Sequence, residues 1–431
     1  MTAFNPRHAC LWIHRYTGLA MAGFLVVAGI TGTLLAFHHE LDEVFNHKLA
    51  YIDNQDTSQL PVAVLHDAVI SAYPEHNFSS MPISVAPNRS AVFTVDKVRD
   101  KKANKQPASA FQEVYVNPYN GHIIGTRDKN AWAWRNTIWK VFWLHRELLL
   151  GDIGKLILGI IALVWTLNCF IGFYLTLPRA VKQHRLPRQE SAKKRASLLK
   201  RWLPAWTIRR KTNTFKLNYD VHHAFGLWLW LILLVIAWSS VGFNLQQVYN
   251  PIMQTLVGLE GKEDKSNKSG KSSAQSVPEA KRFNKAVLMI NKDNSIEYLS
   301  QQANIAAQKN GLNVEQLLGI RWAEEDKQWQ MRFKTNEDIG KKGGASSITV
   351  NASDGSVEKV NFAYQNASFG SKVDQWLSTL HMGHISHGIG HLAYQIFLAL
   401  IGLAVAVLSG TGVYLWYKGR QQRLKSLQKL Q

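Results

Sequence analysis

Cysteine is almost missing from this chain. The two present, Cys10 and Cys169, both fall in or beside long apolar runs. No CxxC or CxxCH occurs, so neither a disulfide framework nor covalent attachment of a c-type haem is available. Glycine-rich nucleotide loops are missing too. No GxGxxG follows a strand-like run, which removes the usual flavin and nicotinamide fingerprint. Acids are few: 30 Asp and Glu stand against 50 Lys and Arg, a formal net charge of +20. Charge is sparse overall, at 19% of residues, yet hydrophobic residues reach only 46%. That is too polar for membrane helices alone and fits a few spans with sizeable water-exposed parts.

What is present begins with four long apolar runs. Leu19–Phe37 holds nineteen residues without a charge, enough to cross a hydrocarbon core of about 30 Å at about 1.5 Å per helical residue. Ile153–Leu177, Ala224–Leu245 and Leu392–Tyr417 follow, with Lys155 their one charge. The first run is longer than the core of a secretory signal, and no small-x-small cleavage site follows it, so it reads as a retained helix. Four spans return both termini to one side. The amino-terminal end, the segment Pro178–Val221 and the tail after Tyr417 together carry twenty basic and two acidic residues. The positive-inside rule places these in the cytoplasm and the two long loops outside. The basic balance thus reads as topology and contact with anionic lipid rather than as nucleic-acid binding. Tryptophans 132, 134, 139, 143 and 416 sit near the expected interfaces as an aromatic belt.

The chain repeats itself. His14-x-x-x-Gly18-Leu19 matches His222-x-x-x-Gly226-Leu227. Leu144-His145 precedes Ile153-Gly154 at the offsets by which Leu380-His381 precedes Ile389-Gly390, and Gly172-Phe-Tyr-Leu175 matches Gly412-Val-Tyr-Leu415. Each half is therefore span, outer loop, span. Each loop reads as a small α+β module. In the first, a helical run at Pro61–Tyr73 precedes an alternating run at Ala91–Val95 and a hairpin about Asn120-Gly121. In the second, a helix at Leu299–Gln308 precedes a strand at Trp329–Phe333 and a hairpin about Asp354-Gly355. The Lys/Ser/Gly-rich stretch 258–276 reads as a flexible linker.

Topology sorts the histidines by depth. His14 and His222 lie at the inner ends of spans one and three; His145 and His381 lie at the outer ends of spans two and four. Two imidazoles from facing helices can hold a haem iron from opposite sides. A flat, wide, apolar porphyrin needs helix surface without bulk, which Gly18 and Gly226 offer one turn after their histidines, with Gly32 and His39 near the same face. The bland alternative is a set of polar caps or interhelical hydrogen bonds. His381, His384, His387 and His391 recur at three- and four-residue spacing, which also admits a non-haem metal site or a transient contact for iron; His38 and His39 are further candidates for that cluster. His47, His66, His76 and His122 read as solvated outer residues, and His8 and His184 as solvated inner ones.

His14-Arg-Tyr-Thr-Gly-Leu19, Val114–Gly125, Leu144-His-Arg-Glu-Leu-Leu-Leu-Gly151, Asp220-Val-His-His-Ala-Phe-Gly-Leu227 and Thr411-Gly-Val-Tyr-Leu-Trp416 together resemble the PepSY-associated transmembrane helix family, over about Pro6 to Tyr417. The resemblance implies a bacterial inner-membrane protein with four helices and periplasmic PepSY modules. In some members it implies two non-covalent b-type haems and reduction of ferric iron or ferric siderophores. On that pattern His14 and His222 would hold an inner haem and His145 and His381 an outer one. The histidine-rich stretch Met382–His391 departs from the pattern.

The expected fold is an α-helical integral membrane protein, a four-helix transmembrane bundle with two small periplasmic α+β modules. Its expected parts are span one at 1–41, a module at 42–140, span two at 141–178, a basic linker at 179–218, span three at 219–246, a second module at 247–379, span four at 380–418 and a cytoplasmic tail at 419–431. The expected activity is a haem-dependent ferric reductase. The electron would come from an acidic flavoprotein or ferredoxin on the basic linker, or from quinol; a homodimer is left open. The rival readings are a non-catalytic scaffold with partner-binding modules and a metal-handling transporter subunit.

Overall fold

The computed structural model describes residues 5–53, 55–96, 110–179, 197–260, 292–339, 345–385 and 389–428. Residues 261–276 of the expected flexible linker, residues 180–196 of the basic linker and His387 lie outside them. The chain divides into two compact units, one of 1–37, 140–252 and 380–431, the other of 38–139 and 253–379.

The first unit is helical. Helix α1, Pro6–Leu35, starts on Asn5, whose side chain accepts from the His8 backbone N–H, and has Pro6 in its first turn, where no N–H partner is needed. Helices α2 (His38–Phe45), α3 (His47–Ala50) and α4 (Val62–Ala72) belong to the second unit. Helix α5, Thr137–Glu147, leads into α6, Asp152–Thr176. Between them Leu148 (φ 53°), Leu149 (φ 59°) and Gly151 (φ 60°) take left-handed backbone. A Cβ on Gly154 would overlap the Glu147 carbonyl, so only glycine lets the helices meet this closely. His145 therefore stands on a separate helix before the span, not on the span expected from residue 141. The same happens at His381, near the end of the helix Phe369–Met382, ahead of the long helix Ile389–Gln428.

Among the described residues three helices, α1, α6 and the last, are long and apolar enough to cross a membrane. After a short helix α7, Leu198–Trp202, the third apolar run is two helices, Thr214–Trp228 (α8) and Trp230–Asn244 (α9), bent by 70° and making a fourth span if read as one. The indoles on either side of Leu229 hold different elements: Trp228 donates to the Trp206 carbonyl and Trp230 to the Cys169 carbonyl. Helix α1 packs on α6 and on the last helix, α6 on α9, and α8 on the last helix. The crossing of α1 with the last helix is glycine on glycine. A Cβ on Gly29 would stand 2.5 Å from the Gly402 carbonyl oxygen, and Thr33 donates to the Ala399 carbonyl at 3.1 Å beside it. Small residues admit such an approach where no water drives the helices together.

The second unit mixes helices and two antiparallel sheets. Helices α2 (His38–Phe45), α3 (His47–Ala50) and α4 (Val62–Ala72) belong to its first segment. Strands β2 (Ala91–Thr94), β3 (Glu113–Val116) and β4 (Ile123–Arg127) form one sheet in that order. Gly121 at φ 73° closes the β3–β4 hairpin, and Gly355 at φ 70° lies in the turn between the strands Ser346–Asn351 and Val357–Asn361. The second sheet runs β1-β5-β6-β7-β8: β5 is Val314–Ala323, β6 Gln328–Thr335, β7 Ser346–Asn351 and β8 Val357–Asn361. Its edge strand β1, Ser80–Met81, comes from the first segment and pairs with Arg321 and Ile320. The two segments also share one apolar core, in which Leu65, Phe93 and Val114 join Leu299, Met331 and Phe333. They are thus one packed body, whereas two modules were expected. His66, expected in solvent, is buried and bonded through Nε2 to the Phe78 carbonyl at 2.6 Å, because it sits on the core face of α4.

Candidate functional site

In the helical unit, His14 on α1 meets His222 on α8, with ring centres 6.3 Å apart and planes at 68°. His145 on α5 meets His381, with centres 6.5 Å apart and planes at 72°. A metal–imidazole bond is about 2.0–2.1 Å. The bonded nitrogen lies about 1.1 Å from its ring centre, so two imidazoles on opposite sides of one metal have centres about 6.3 Å apart. Both pairs stand at that separation.

Each ring is held by its Nδ1. His14 Nδ1 meets Asn168 Oδ1 at 3.2 Å, and His222 Nδ1 meets the Leu408 carbonyl at 3.1 Å and Thr411 Oγ1 at 3.2 Å. His145 Nδ1 meets Thr31 Oγ1 at 2.9 Å and His381 Nδ1 meets Ser239 Oγ at 2.8 Å. Both hydroxyls donate to carbonyls of their own helix, Thr31 to Val27 and Ser239 to Ile236, which leaves their lone pairs for the ring N–H. A ligand histidine is oriented in this way, its far N–H given away and Nε2 left for the metal.

Glycines set the depth of the rings. A Cβ on Gly172 would lie 3.2 Å from His14 Cε1, one on Gly412 3.3 Å from His222 Cε1, and one on Gly32 3.3 Å from His145 Cε1. Gly18 and Gly226 do something else: no atom lies within 4 Å of where their Cβ would stand, so each leaves open space one turn beyond its histidine. Between the two levels Met21, Leu25, Leu233, Ile401 and Val405 form a buried apolar cluster. By helical rise His14 and Thr31 are about 25 Å apart along α1.

Two imidazoles make an incomplete cage for a bare ion. Among the described residues no three of His, Cys, Asp and Glu converge to hold one. A porphyrin supplies the other four ligands in its own plane, and the open flanks at Gly18 and Gly226 suit a flat apolar ring. The His14–His222 pair fits such a group by ring separation and open flanks, and the His145–His381 pair by ring separation and Nδ1 anchoring.

The remaining candidates fall elsewhere. His384 lies in the chain between the helix ending at Met382 and the one starting at Ile389, so no continuous helix lines it up with His381 and His391. His391 is on the long helix, its Nδ1 buried without a hydrogen-bond partner among the described residues. His38 and His39 belong to α2 in the second unit, beyond the end of α1; their rings contact each other at 5.5 Å, and His38 contacts Trp139 at 5.2 Å. The polar residues that orient the rings, Asn168, Thr31, Ser239 and Thr411, were not anticipated. Gly172 and Gly412 were visible as matched repeat ends, but without a role.

The helix ends on the His14 side carry two further polar clamps. Arg7 donates to the Leu175 and Leu177 carbonyls at 2.6 and 2.8 Å, capping the last turn of α6. Asp220, buried, accepts two bonds from the Arg209 guanidinium, each 2.7 Å.

Long apolar helices with two half-buried imidazole pairs at two depths define an integral membrane protein with a paired histidine site. The chain belongs to the PepSY-associated TM region family, whose model matches residues 11–418. No curated protein matches it at a significant level.

Proposed function

We propose that this membrane protein is an electron carrier holding two b-type haems, one between His14 and His222 and one between His145 and His381. Its substrate is ferric iron, free or bound to a siderophore, reduced on the side of the membrane that bears the two interhelical segments. The observation that carries this reading is the pair of ring separations, 6.3 and 6.5 Å, each with Nδ1 anchored on a neighbouring helix.

When bound, each haem supplies a one-electron ferric/ferrous couple whose potential the protein sets. The chain's residues do the rest. Asn168, Leu408, Thr31 and Ser239 take the Nδ1 protons and hold the rings. The cluster of Met21, Leu25, Leu233, Ile401 and Val405 keeps water out between the levels. Each Fe(III) takes one electron, and iron leaves a siderophore on reduction because most siderophores grip Fe(III) far more tightly than Fe(II).

The donor side is the basic end, where Lys200, Arg210, Lys211 and Lys216 are exposed. That charge suits an acidic flavoprotein or ferredoxin, and quinol in the bilayer is the other source. The positive-inside rule puts this end and both termini in the cytoplasm of a bacterial inner membrane. The test is a visible spectrum with a haem count on the purified chain. A sharp reduced α-band of b type, about two haems per chain, and reoxidation by Fe(III) chelates are expected. Colourless protein from haem-replete cells would sink the reading and favour a scaffold.

A further inference from the structure

The repeat that relates the two halves is broken at one place beside the inner histidine pair. His14 and His222 are repeat mates, and so are the glycines they rest on, Gly172 and Gly412. Four residues before those glycines stand Asn168 in one half and Leu408 in the other. His222 gives its Nδ1 proton to a main-chain carbonyl, that of Leu408, with the Thr411 hydroxyl beside it. His14 has neither: Ile171 takes the place of Thr411, and the Asn168 side-chain amide takes the place of the carbonyl.

Asn168 is buried, with 4% of its surface exposed, inside a membrane-spanning helix. An amide can present either a donor or an acceptor, and the hydrogen bonds around it favour one orientation. Thr17 Oγ1 donates to the Ile13 carbonyl at 2.8 Å, so its lone pair accepts from Asn168 Nδ2 at 2.7 Å. That turns Asn168 Oδ1 toward His14 Nδ1, which in this arrangement carries the proton. Thr17 is the repeat mate of Phe225, so the Thr17–Asn168 pair exists in one half only.

We propose that Asn168, held by Thr17, is a positioning residue that fixes His14 as the Nδ1–H tautomer and so presents Nε2 to the inner site. Its bearing on iron rests on the haem reading; the tautomer does not. An Nδ1–H bonded to a strong acceptor makes the imidazole more electron-rich, which favours the more oxidised state of a bound metal. The inner pair is thus asymmetric: one ring is set by the rigid main chain and the other by a two-residue side-chain relay.

The test uses the full chain in lipid nanodiscs and two readouts. In 15N-histidine NMR of haem-depleted protein, with the His14 signals assigned by their loss in His14→Ala, the wild type shows His14 wholly as Nδ1–H. Asn168→Leu gives a mixture with the Nε2–H form, Asn168→Asp keeps Nδ1–H, and His222 stays unchanged. In redox titration of protein as purified, the component lost in His14→Ala moves to higher potential in Asn168→Leu and lower in Asn168→Asp, with the other component unmoved. Thr17→Val, close to isosteric, shifts both readouts the same way as Asn168→Leu but less, and serves if that variant does not fold. His14 remaining wholly Nδ1–H in Asn168→Leu and Thr17→Val would overturn the proposal, as would potentials that stay put or move together. Protein without haem would remove the haem reading alone, since the tautomer measurement still decides this one.

Discussion

At the scale of single residues, the site is made by side chains with little bulk. Gly32 and Gly412 each leave one imidazole room on a neighbouring helix, so Gly412→Val should displace His222 and deplete only the inner component. Gly32→Val should displace His145 and deplete only the outer one. A pyridine haemochrome assay with component-resolved spectra checks both; loss of both components from either variant would count against separate pairs. A second residue-scale case lies in the other unit. Arg127, 1% exposed, bonds both carboxylate oxygens of Asp42 at 2.7 and 2.8 Å, and Asn136 at 2.9 Å. Burial and the neighbouring Glu113 carboxylate hold the Tyr115 phenol neutral well above its ordinary pKa of 10. Arg127→Met leaves the Asp42 carboxylate without its cation and should destabilise this unit by about 3 kcal/mol; pairing it with Asp42→Leu should recover part of that. Thermal unfolding of both variants measures the difference. The two histidine pairs were legible in the sequence because the repeat set them at matching offsets. Asn168, Thr31 and Ser239 were not, because each acts on a ring from another helix and no spacing along the chain reports such a contact.

At the scale of elements, the α1 crossing and the bent third run carry the most. Gly29 and Gly402 meet backbone to backbone, whereas nothing lies within 4 Å of a Cβ on Gly23, which is exposed on the same helix. Gly402→Leu should therefore part α1 from the last helix, lower the melting temperature in detergent and lose both spectral components, while Gly23→Leu should be silent. Equal effects would place the crossing elsewhere. Hydropathy found the spans, since nineteen uncharged residues are hard to mistake. It could not find the 70° bend at Leu229, where the run has neither proline nor a change of hydropathy; the cause is the anchoring of Trp228 and Trp230 on different elements. Nor could it separate α5 from α6, because that break depends on left-handed Leu148 and Leu149 and on Gly154 meeting the Glu147 carbonyl.

At the scale of the whole molecule, one body is built from long helices and the other from two segments that share a core. The hairpins about Gly121 and Gly355 were readable from their turns. The union of the segments was not, because strand β1 is two residues long and its partner lies some 240 residues away in sequence. Orientation is a separate question with its own test. A reporter fused after Gln431 should act in the cytoplasm and one inserted near Ser272 on the other side, and the reverse result would overturn the charge argument. The measurement that bears most directly on the central claim is the reduced spectrum and haem content of the four single histidine variants. His14→Ala and His222→Ala should remove one and the same component, and His145→Ala and His381→Ala the other. The double variant His14→Ala/His222→Ala should keep about one haem per chain. Depletion of the same component by His14→Ala and His145→Ala, or a wild-type chain with no haem, would contradict it.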